Sequence, residues 1–320
     1  MKTFKITVLD GFMATRDDLN WDALNAFGQV QAYPRTSPQD IVKRAFDADI
    51  VLSNKVPMFE EQLCQLPNLK YIGVLATGYN NVDLNAAKSR SITVTNIPSY
   101  GTDSVAQTVF AHILNIANKI EEHSIAVHVG AWTKSVDICF CLSALTELSG
   151  RTLGIIGYGA IGRKVAKIAK AFDMNILAYA PSKGTSGSDG IAEFASIDDI
   201  FKRSHIISLN CPLNSDTNKI INSRNIDKCM DGVWIINTGR GGLIDEPALA
   251  DALKSGKVGA AGVDVLSQEP PPADNPLLSA PNCHISPHNA WTTKEARARL
   301  ISIASNNIKK WIEGSPINVL

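Results

Sequence analysis

The sequence predicts an α/β fold with two domains, each built on a parallel sheet covered by helices. Three observations carry this. Short apolar runs of strand length alternate with segments of helical spacing, the pattern of βαβ units. The runs fall into two series, parted by a long amphipathic segment. A length of 320 residues suits two domains of about 100–200 residues each better than one core.

In the first series, strands are expected at Lys5–Leu9, Ile50–Ser53, Tyr71–Leu75 and Thr93–Asn96. Helical spacing marks Pro38–Asp47 and Val82–Arg90 between them. The stretch Met1–Asp10 alternates apolar and polar residues and meets an acid, so it reads as a strand and not as a secretion signal. Ser104–Ile120 then places Val105, Val109, Ile113 and Ile116 on one face, an amphipathic helix long enough to connect domains. Glu121–Ser149 holds Trp132, Cys139, Phe140, Cys141 and Leu142 but is poorly periodic. It is either a subunit contact or a loop packed on its own domain. The second series runs Thr152–Ile156, Asn175–Tyr179, Ile206–Asn210, Val233–Asn237 and Gly259–Asp264.

Composition narrows the function. Hydrophobic residues at 45% and charged residues at 19% exclude a disordered, collagen-like or coiled-coil chain. Lys+Arg and Asp+Glu balance at 31 each, so no basic excess points to nucleic acid. No apolar run reaches the roughly 18–20 residues of a membrane helix. The six cysteines form no C-x-x-C pair, and the expectation is a reduced, cytoplasmic protein without a metal.

The strongest local motif is Gly157-Tyr158-Gly159-Ala160-Ile161-Gly162. An apolar strand precedes it, and a helix with Val165, Ile168 and Phe172 on one face follows. One glycine permits a tight turn, one lets backbone approach a pyrophosphate, and one lets helix and strand pack closely. The helix N-terminus then offers free N–H groups to the phosphates. An acid about 20 residues further on would bind the ribose of NAD(H). Here Tyr179 is followed by Ala180, Pro181, Ser182 and Lys183, with no carboxylate. Ser182 and Lys183 could bind the 2′-phosphate of NADP(H), or Lys183 could simply be solvated. NAD(H) and NADP(H) both stay open, with a lean toward accepting NADP(H).

Three further segments stand at or just after late strands, where open α/β sheets hold ligands. They are Asn237-Thr238-Gly239-Arg240-Gly241-Gly242, Asp264 through Pro270, and Ser286-Pro287-His288-Asn289-Ala290-Trp291. An Arg between glycines suits a fork aimed at a carboxylate. A His titrates near neutrality and suits proton transfer. Taken singly, Arg240 could pair with a surface acid, Glu269 could be a loop charge, and His288 could be a buried structural histidine.

Together, in this order, these segments and Ala76-Thr77-Gly78-Tyr79-Asn80-Asn81-Val82-Asp83 resemble the D-isomer-specific 2-hydroxyacid dehydrogenases over nearly the whole chain. Within that family the sequence looks most like the glycerate dehydrogenases, also called hydroxypyruvate reductases. The residues that carry this are Thr77–Asn81, His288–Trp291 and Glu295-Ala296-Arg297.

The resemblance implies a catalytic triad of Arg240, Glu269 and His288. Arg240 would bind the substrate carboxylate, His288 would give the carbonyl oxygen its proton, and Glu269 would stabilise the imidazolium. It implies cofactor contacts from Thr108, Ala160, Ile161, Cys211, Thr238, Gly239, Asp264 and Ala290, with Asp264 on the nicotinamide carboxamide. It implies a substrate pocket with Asn54, Ala76, Thr77 and Gly78. It further implies a flavodoxin-like substrate domain of residues 1–98 plus 292–320, a Rossmann-like cofactor domain of residues 99–291, a cleft between them, and a homodimer. The expected partner is a short 2-oxo or 2-hydroxy acid, with no nucleic acid and no membrane. Two rivals remain. Formate dehydrogenases pair the His with Gln, where this chain has Glu269. A dinucleotide-sensing, corepressor-like protein can keep the same three residues, and turnover with 2-oxo acids separates it. The other histidines, His112, His123, His128, His205 and His284, are expected to be structural.

Overall fold

The computed structural model describes residues 3–16 and 18–320. Met1 and Lys2, which open the alternating N-terminal stretch, lie outside the described residues. The chain divides into two compact units. One runs to Gly101 and resumes over Trp291–Leu320, and the other spans Thr102–Ala290.

The first unit holds strands β1 (Phe4–Val8), β2 (Gly28–Ala32), β3 (Ile50–Ser53), β4 (Tyr71–Val74) and β5 (Thr93–Thr95). They form one parallel sheet in the order β2-β1-β3-β4-β5. Both faces are covered, which is why the central strands read as continuous apolar runs. Ile50, Leu52 and Tyr71 pack with Ala296, Leu300 and Ile308 of the helix Lys294–Ile312. Val51, Ile72 and Val74 face the other way, onto Ile41, Leu63 and Ala87. Strand β2 escapes the sequence pattern because its glutamines Gln29 and Gln31 leave it without an apolar run at the sheet edge. Gly28 begins it, and a Cβ there would stand 1.9 Å from the Phe4 carbonyl oxygen.

The second unit holds β6 (Thr152–Ile156), β7 (Asn175–Tyr179), β8 (Glu193–Phe194), β9 (Ile206–Leu209), β10 (Val233–Asn237), β11 (Val258–Val263) and β12 (Cys283–Ile285). Every pairing is parallel, in the order β12-β11-β10-β9-β6-β7-β8. One face packs Leu153, Ile155 and Ile236 against the helices Thr102–Asn118 and Ala160–Ala171. The other packs Ile207, Leu209 and Ile235 against Phe201, Leu249 and Leu253. The helix Glu246–Ser255 begins under the Asp245 side chain, which accepts from the Ala248 N–H, and stops at left-handed Gly256. Strands β8 and β12, two and three residues long, are too short for a periodic signal.

The connecting helix differs from its sequence reading. It ends at Asn118, because Lys119 takes a positive φ of 47°. A second helix, Ile120–His128, then occupies part of the segment read as irregular. It buries none of its side chains, and Ile120, Ile125 and Val129 stand exposed. With no face turned to a core, the segment has no apolar stripe to read. Among the described residues, no helix is long and apolar enough to cross a membrane.

Because the seven strands are all parallel, the segments after β6, β7, β9, β10, β11 and β12 leave from one edge of the sheet. That edge carries the chemistry.

Candidate active site

The turn after β6 uses its glycines for different reasons. Gly157 has φ +98°, and a Cβ on it would meet the Asn210 backbone at 2.5 Å. A Cβ on Gly162 would stand 2.2 Å from the Gly157 carbonyl oxygen, so the helix could not pack on the turn. A Cβ on Gly159 would meet nothing within 4 Å. Two glycines therefore answer to the protein, and the third faces open space. Ala160 and Ile161 open the helix Ala160–Ala171, whose N-cap has no side-chain hydrogen bond and whose first turn has no acid. Its free N–H groups and positive dipole end remain available to an anion.

At the end of β7, Ala180 is buried, while Ser182 and Lys183 are exposed in a single 3-10 turn. The Lys183 N–H donates to the Ala180 carbonyl at 2.9 Å. No carboxylate occupies the position after this strand.

Strands β9 and β10 are neighbours, and the residues after them leave two buried polar atoms, Asn210 Oδ1 and Thr238 Oγ1, without a hydrogen-bond partner. Orphaned buried polar atoms are costly, and a ligand is one way to satisfy them. Cys211 is half-buried, and burial pushes its thiol up to about 11, so it offers apolar contact and not a nucleophile. Open space at Gly159, an uncapped helix N-terminus and two unpaired polar atoms on one edge fit a dinucleotide.

The Arg240 segment is held from below. Asn237, fully buried at the end of β10, donates Nδ2 to the Arg240 carbonyl at 2.9 Å and accepts the Gly239 N–H at 3.0 Å. The exposed Arg240 guanidinium spends one donor on the Gly239 carbonyl, at 2.8 Å, and keeps others for a ligand. Gly241 is required for a different reason. A Cβ there would stand 1.9 Å from the Leu266 backbone, so this glycine lets the Arg240 segment lie against the one that carries Glu269.

Glu269 and His288 meet. The Glu269 Oε2 lies 2.5 Å from His288 Nδ1, while Oε1 accepts the Leu266 N–H at 3.0 Å. The carboxylate is thereby anchored at one oxygen and paired at the other, and the His288 Nε2 is left for a reactant. His288 itself has φ +49°, uncommon outside glycine. Its N–H donates to the Asp264 carbonyl at 2.7 Å. The buried Asp264 carboxylate accepts the Asn289 and Ala290 N–H groups, each at 3.0 Å, and the Ser286 hydroxyl at 2.6 Å. Two carboxylate oxygens can take about four donors, so one position remains on Asp264. Thr108 lies half-buried in the helix Thr102–Asn118, with its hydroxyl on the Ser104 carbonyl at 3.1 Å.

In the first unit, Asn54 is buried after β3 and donates Nδ2 to the Leu75 carbonyl at 2.5 Å. Ala76, Thr77 and Gly78 follow that carbonyl, and the Thr77 hydroxyl donates to the Ile97 carbonyl at 2.9 Å. Sequence reasoning missed the residue beneath them. The Asp10 carboxylate accepts the N–H groups of Asn54, Lys55 and Val56, at 2.8, 2.6 and 3.2 Å. Burial raises its pKa and the three N–H donors oppose that rise. The acid that ends β1 was visible in sequence, but its partners lie more than forty residues away. Asn237 and Ser286 stand in the quoted segments without a role, and His112 was expected to be structural, because each acts through a contact distant in sequence or through backbone alone.

Comparison with known proteins follows this geometry. The family model "D-isomer specific 2-hydroxyacid dehydrogenase, NAD binding domain" matches residues 110–290. The chain is 47% identical to a hydroxypyruvate reductase of Blautia hydrogenotrophica, over 99% of both chains. It is 40% identical to a glycerate dehydrogenase of Methylorubrum extorquens, over 89% of each. Among solved structures, it is similar to an acyclic imino acid reductase in complex with NADPH and D-Arg, with a TM-score of 0.86, 30% identity and 99% of both chains covered. The chain belongs to the D-isomer specific 2-hydroxyacid dehydrogenases, a family of oxidoreductases with an NAD-binding domain.

Proposed function

We propose that this enzyme reduces a short 2-oxo acid, hydroxypyruvate or glyoxylate, to D-glycerate or glycolate. The observation that carries this reading is the Glu269–His288 pair, set at the same sheet edge as Arg240 and the glycine turn. The names of the similar hydroxypyruvate reductase and glycerate dehydrogenase support the substrate.

A reduced nicotinamide dinucleotide, NADH or NADPH, supplies the hydride that arrives at C2. Gly159 and the helix start at Ala160 and Ile161 would hold its pyrophosphate on backbone N–H groups, while Gly157, whose N–H is on the Tyr179 carbonyl, and Gly162 shape the turn. Thr108, Cys211, Thr238, Gly239 and Ala290 would line the nicotinamide side, and the remaining acceptor position of Asp264 would take a carboxamide N–H. Arg240 binds the substrate carboxylate through two guanidinium N–H groups, which fixes C2 in place. Glu269 accepts the Nδ1–H of His288 and stabilises the imidazolium. His288 then gives its Nε2 proton to the carbonyl oxygen as C2 is reduced, and it takes that proton back in the reverse direction. In the first unit, Asn54, Ala76, Thr77 and Gly78 are the candidates for substrate contact, with Asp10 holding the backbone at Asn54. The exposed apolar side chains Ile120, Ile125, Val129, Trp132, Val136 and Ile138 support a homodimer through this segment.

The absence of an acid after β7 favours acceptance of NADPH, with Ala180, Ser182 and Lys183 at the 2′-position. Steady-state oxidation of NADH and NADPH, side by side, with hydroxypyruvate and glyoxylate tests the reading. Turnover with a 2-oxo acid is expected, and Ala180→Asp is expected to lower the NADPH to NADH ratio of kcat/KM by about tenfold or more. Dinucleotide binding without turnover of either acid would contradict the substrate reading and favour another 2-oxo acid or a sensor. An unchanged ratio in the variant would contradict the 2′-phosphate argument alone.

A further inference from the structure

We propose that His112 and Ser286 are positioning residues that hold the His288 backbone in its reactive conformation through the Asp264 carboxylate. The proposal rests on the reading of His288 as the acid–base residue. Neither side chain has a hydrogen bond to the His288 or Arg240 side chain, although the Ser286 carbonyl accepts the His288 N–H at 3.0 Å.

His288 is strained: a left-handed non-glycine residue persists only where its surroundings over-determine it. Here the surroundings do so from one side. The His288 N–H is on the Asp264 carbonyl, and the next two N–H groups are on the Asp264 carboxylate. Asp264 thus clamps three consecutive residues of the segment that carries His288. The Ala290 carbonyl is fixed as well, by the Ser104 hydroxyl at 2.5 Å.

What orients Asp264 is the next question. Its Oδ1 receives the Ser286 hydroxyl at 2.6 Å. A carboxylate only accepts, so the single Ser286 proton is committed to it. The Ser286 oxygen is left as an acceptor, and His112 Nε2 stands 3.1 Å away. His112 must then carry its proton on Nε2, which sets the direction of the bonds: the imidazole donates to the hydroxyl, the hydroxyl donates to the carboxylate, and the loop N–H groups donate to the same carboxylate from the other side. His112 is buried in the helix Thr102–Asn118, 174 residues from Ser286 in sequence. Burial lowers its pKa, with Asp264 opposing and His284 adding to the shift, so the neutral donor form is favoured.

A second observation shows that the fold makes room for this imidazole. Gly262 lies in β11, two residues before Asp264, and a Cβ there would stand 2.6 Å from the His112 Cβ. The sheet carries a glycine where this helix position lies closest to it, which brings the imidazole within reach of the segment after β12. A histidine that merely filled core space would need no directed partner.

The test uses the whole chain with six variants. In His112→Leu and Ser286→Ala, kcat for the 2-oxo acid is expected to fall about tenfold or more, because small misplacements of a reacting group are costly. Dinucleotide Kd, measured by protein fluorescence, is expected to rise by less than kcat falls, because Asp264 offers the dinucleotide one contact among several. His112→Gln places an amide N–H near the Nε2 position and is expected to restore most of the lost kcat. His112→Asn, whose amide falls short at the Nδ1 position, is not. If His112→Leu does not fold, the Ser286→Ala and Ser286→Thr pair decides, with Thr restoring the hydroxyl. A lowered Tm with unchanged kcat would overturn the proposal, as would equal loss in Gln and Asn variants. His288→Ala run alongside separates the two readings. If that variant keeps its kcat, the acid–base reading itself has failed. If it loses kcat while His112→Leu and Ser286→Ala do not, only the positioning proposal has failed.

Discussion

Glu269 Oε2 lies 2.5 Å from His288 Nδ1, and the other Glu269 oxygen is fixed by the Leu266 N–H. The carboxylate is held from behind and cannot follow a different partner. Replacing it with an amide keeps the shape and removes the charge that stabilises the imidazolium. Glu269→Gln should therefore lower kcat by about 10²-fold or more and leave KM within a few-fold. Steady-state kinetics with a 2-oxo acid checks this. A raised KM at unchanged kcat would make Glu269 a binding residue instead.

The glycine turn predicts a split between two similar substitutions. Gly159→Ala meets no protein atom, so Tm should be unchanged while dinucleotide affinity falls about tenfold or more. Gly162→Ala drives a methyl into the Gly157 carbonyl and should cost roughly 1–3 kcal/mol of stability. Thermal denaturation and dinucleotide titration on both variants test this. A stable Gly159→Ala protein that binds normally would remove the pyrophosphate from this turn.

Three histidines set a direction for stability against pH. Burial lowers the pKa of His112, His205 and His284 below the free value of 6.5. The unfolded chain takes up these protons near that value, and the folded chain resists them. Their contribution is full above about pH 6.5 and is lost as pH falls through the lowered folded values. The urea midpoint should therefore drop between pH 7.5 and pH 5.5. His205, whose Nδ1 accepts the Thr152 N–H, offers a control: His205→Gln should flatten the slope in part. A midpoint that rises on acidification would contradict the neutral state of these groups.

Much of this was legible in the sequence, for physical reasons. Buried parallel strands such as Ile50–Ser53 and Thr152–Ile156 must be apolar on both faces, so they stand out as runs. Gly157 and Gly162 are dictated by backbone clashes within the turn itself. Strand β2 was hidden because an edge strand tolerates Gln29 and Gln31, and the helix Ile120–His128 because it faces no core. The supports of the site were hidden for a third reason. Asn237 acts through backbone groups two and three residues away, and Asp10 and His112 act across long sequence separations. Each is an ordinary residue type whose role exists only once the chain is folded.

The role proposed for His288 is to move the proton in a reduction carried out at this sheet edge, and it is tested by kcat for hydroxypyruvate reduction at neutral pH in wild type and His288→Ala, with dinucleotide Kd measured on the same samples. A fall in kcat of about 10²–10⁴-fold with Kd within a few-fold is expected. Unchanged turnover in the variant would contradict it and remove His288 from the chemistry.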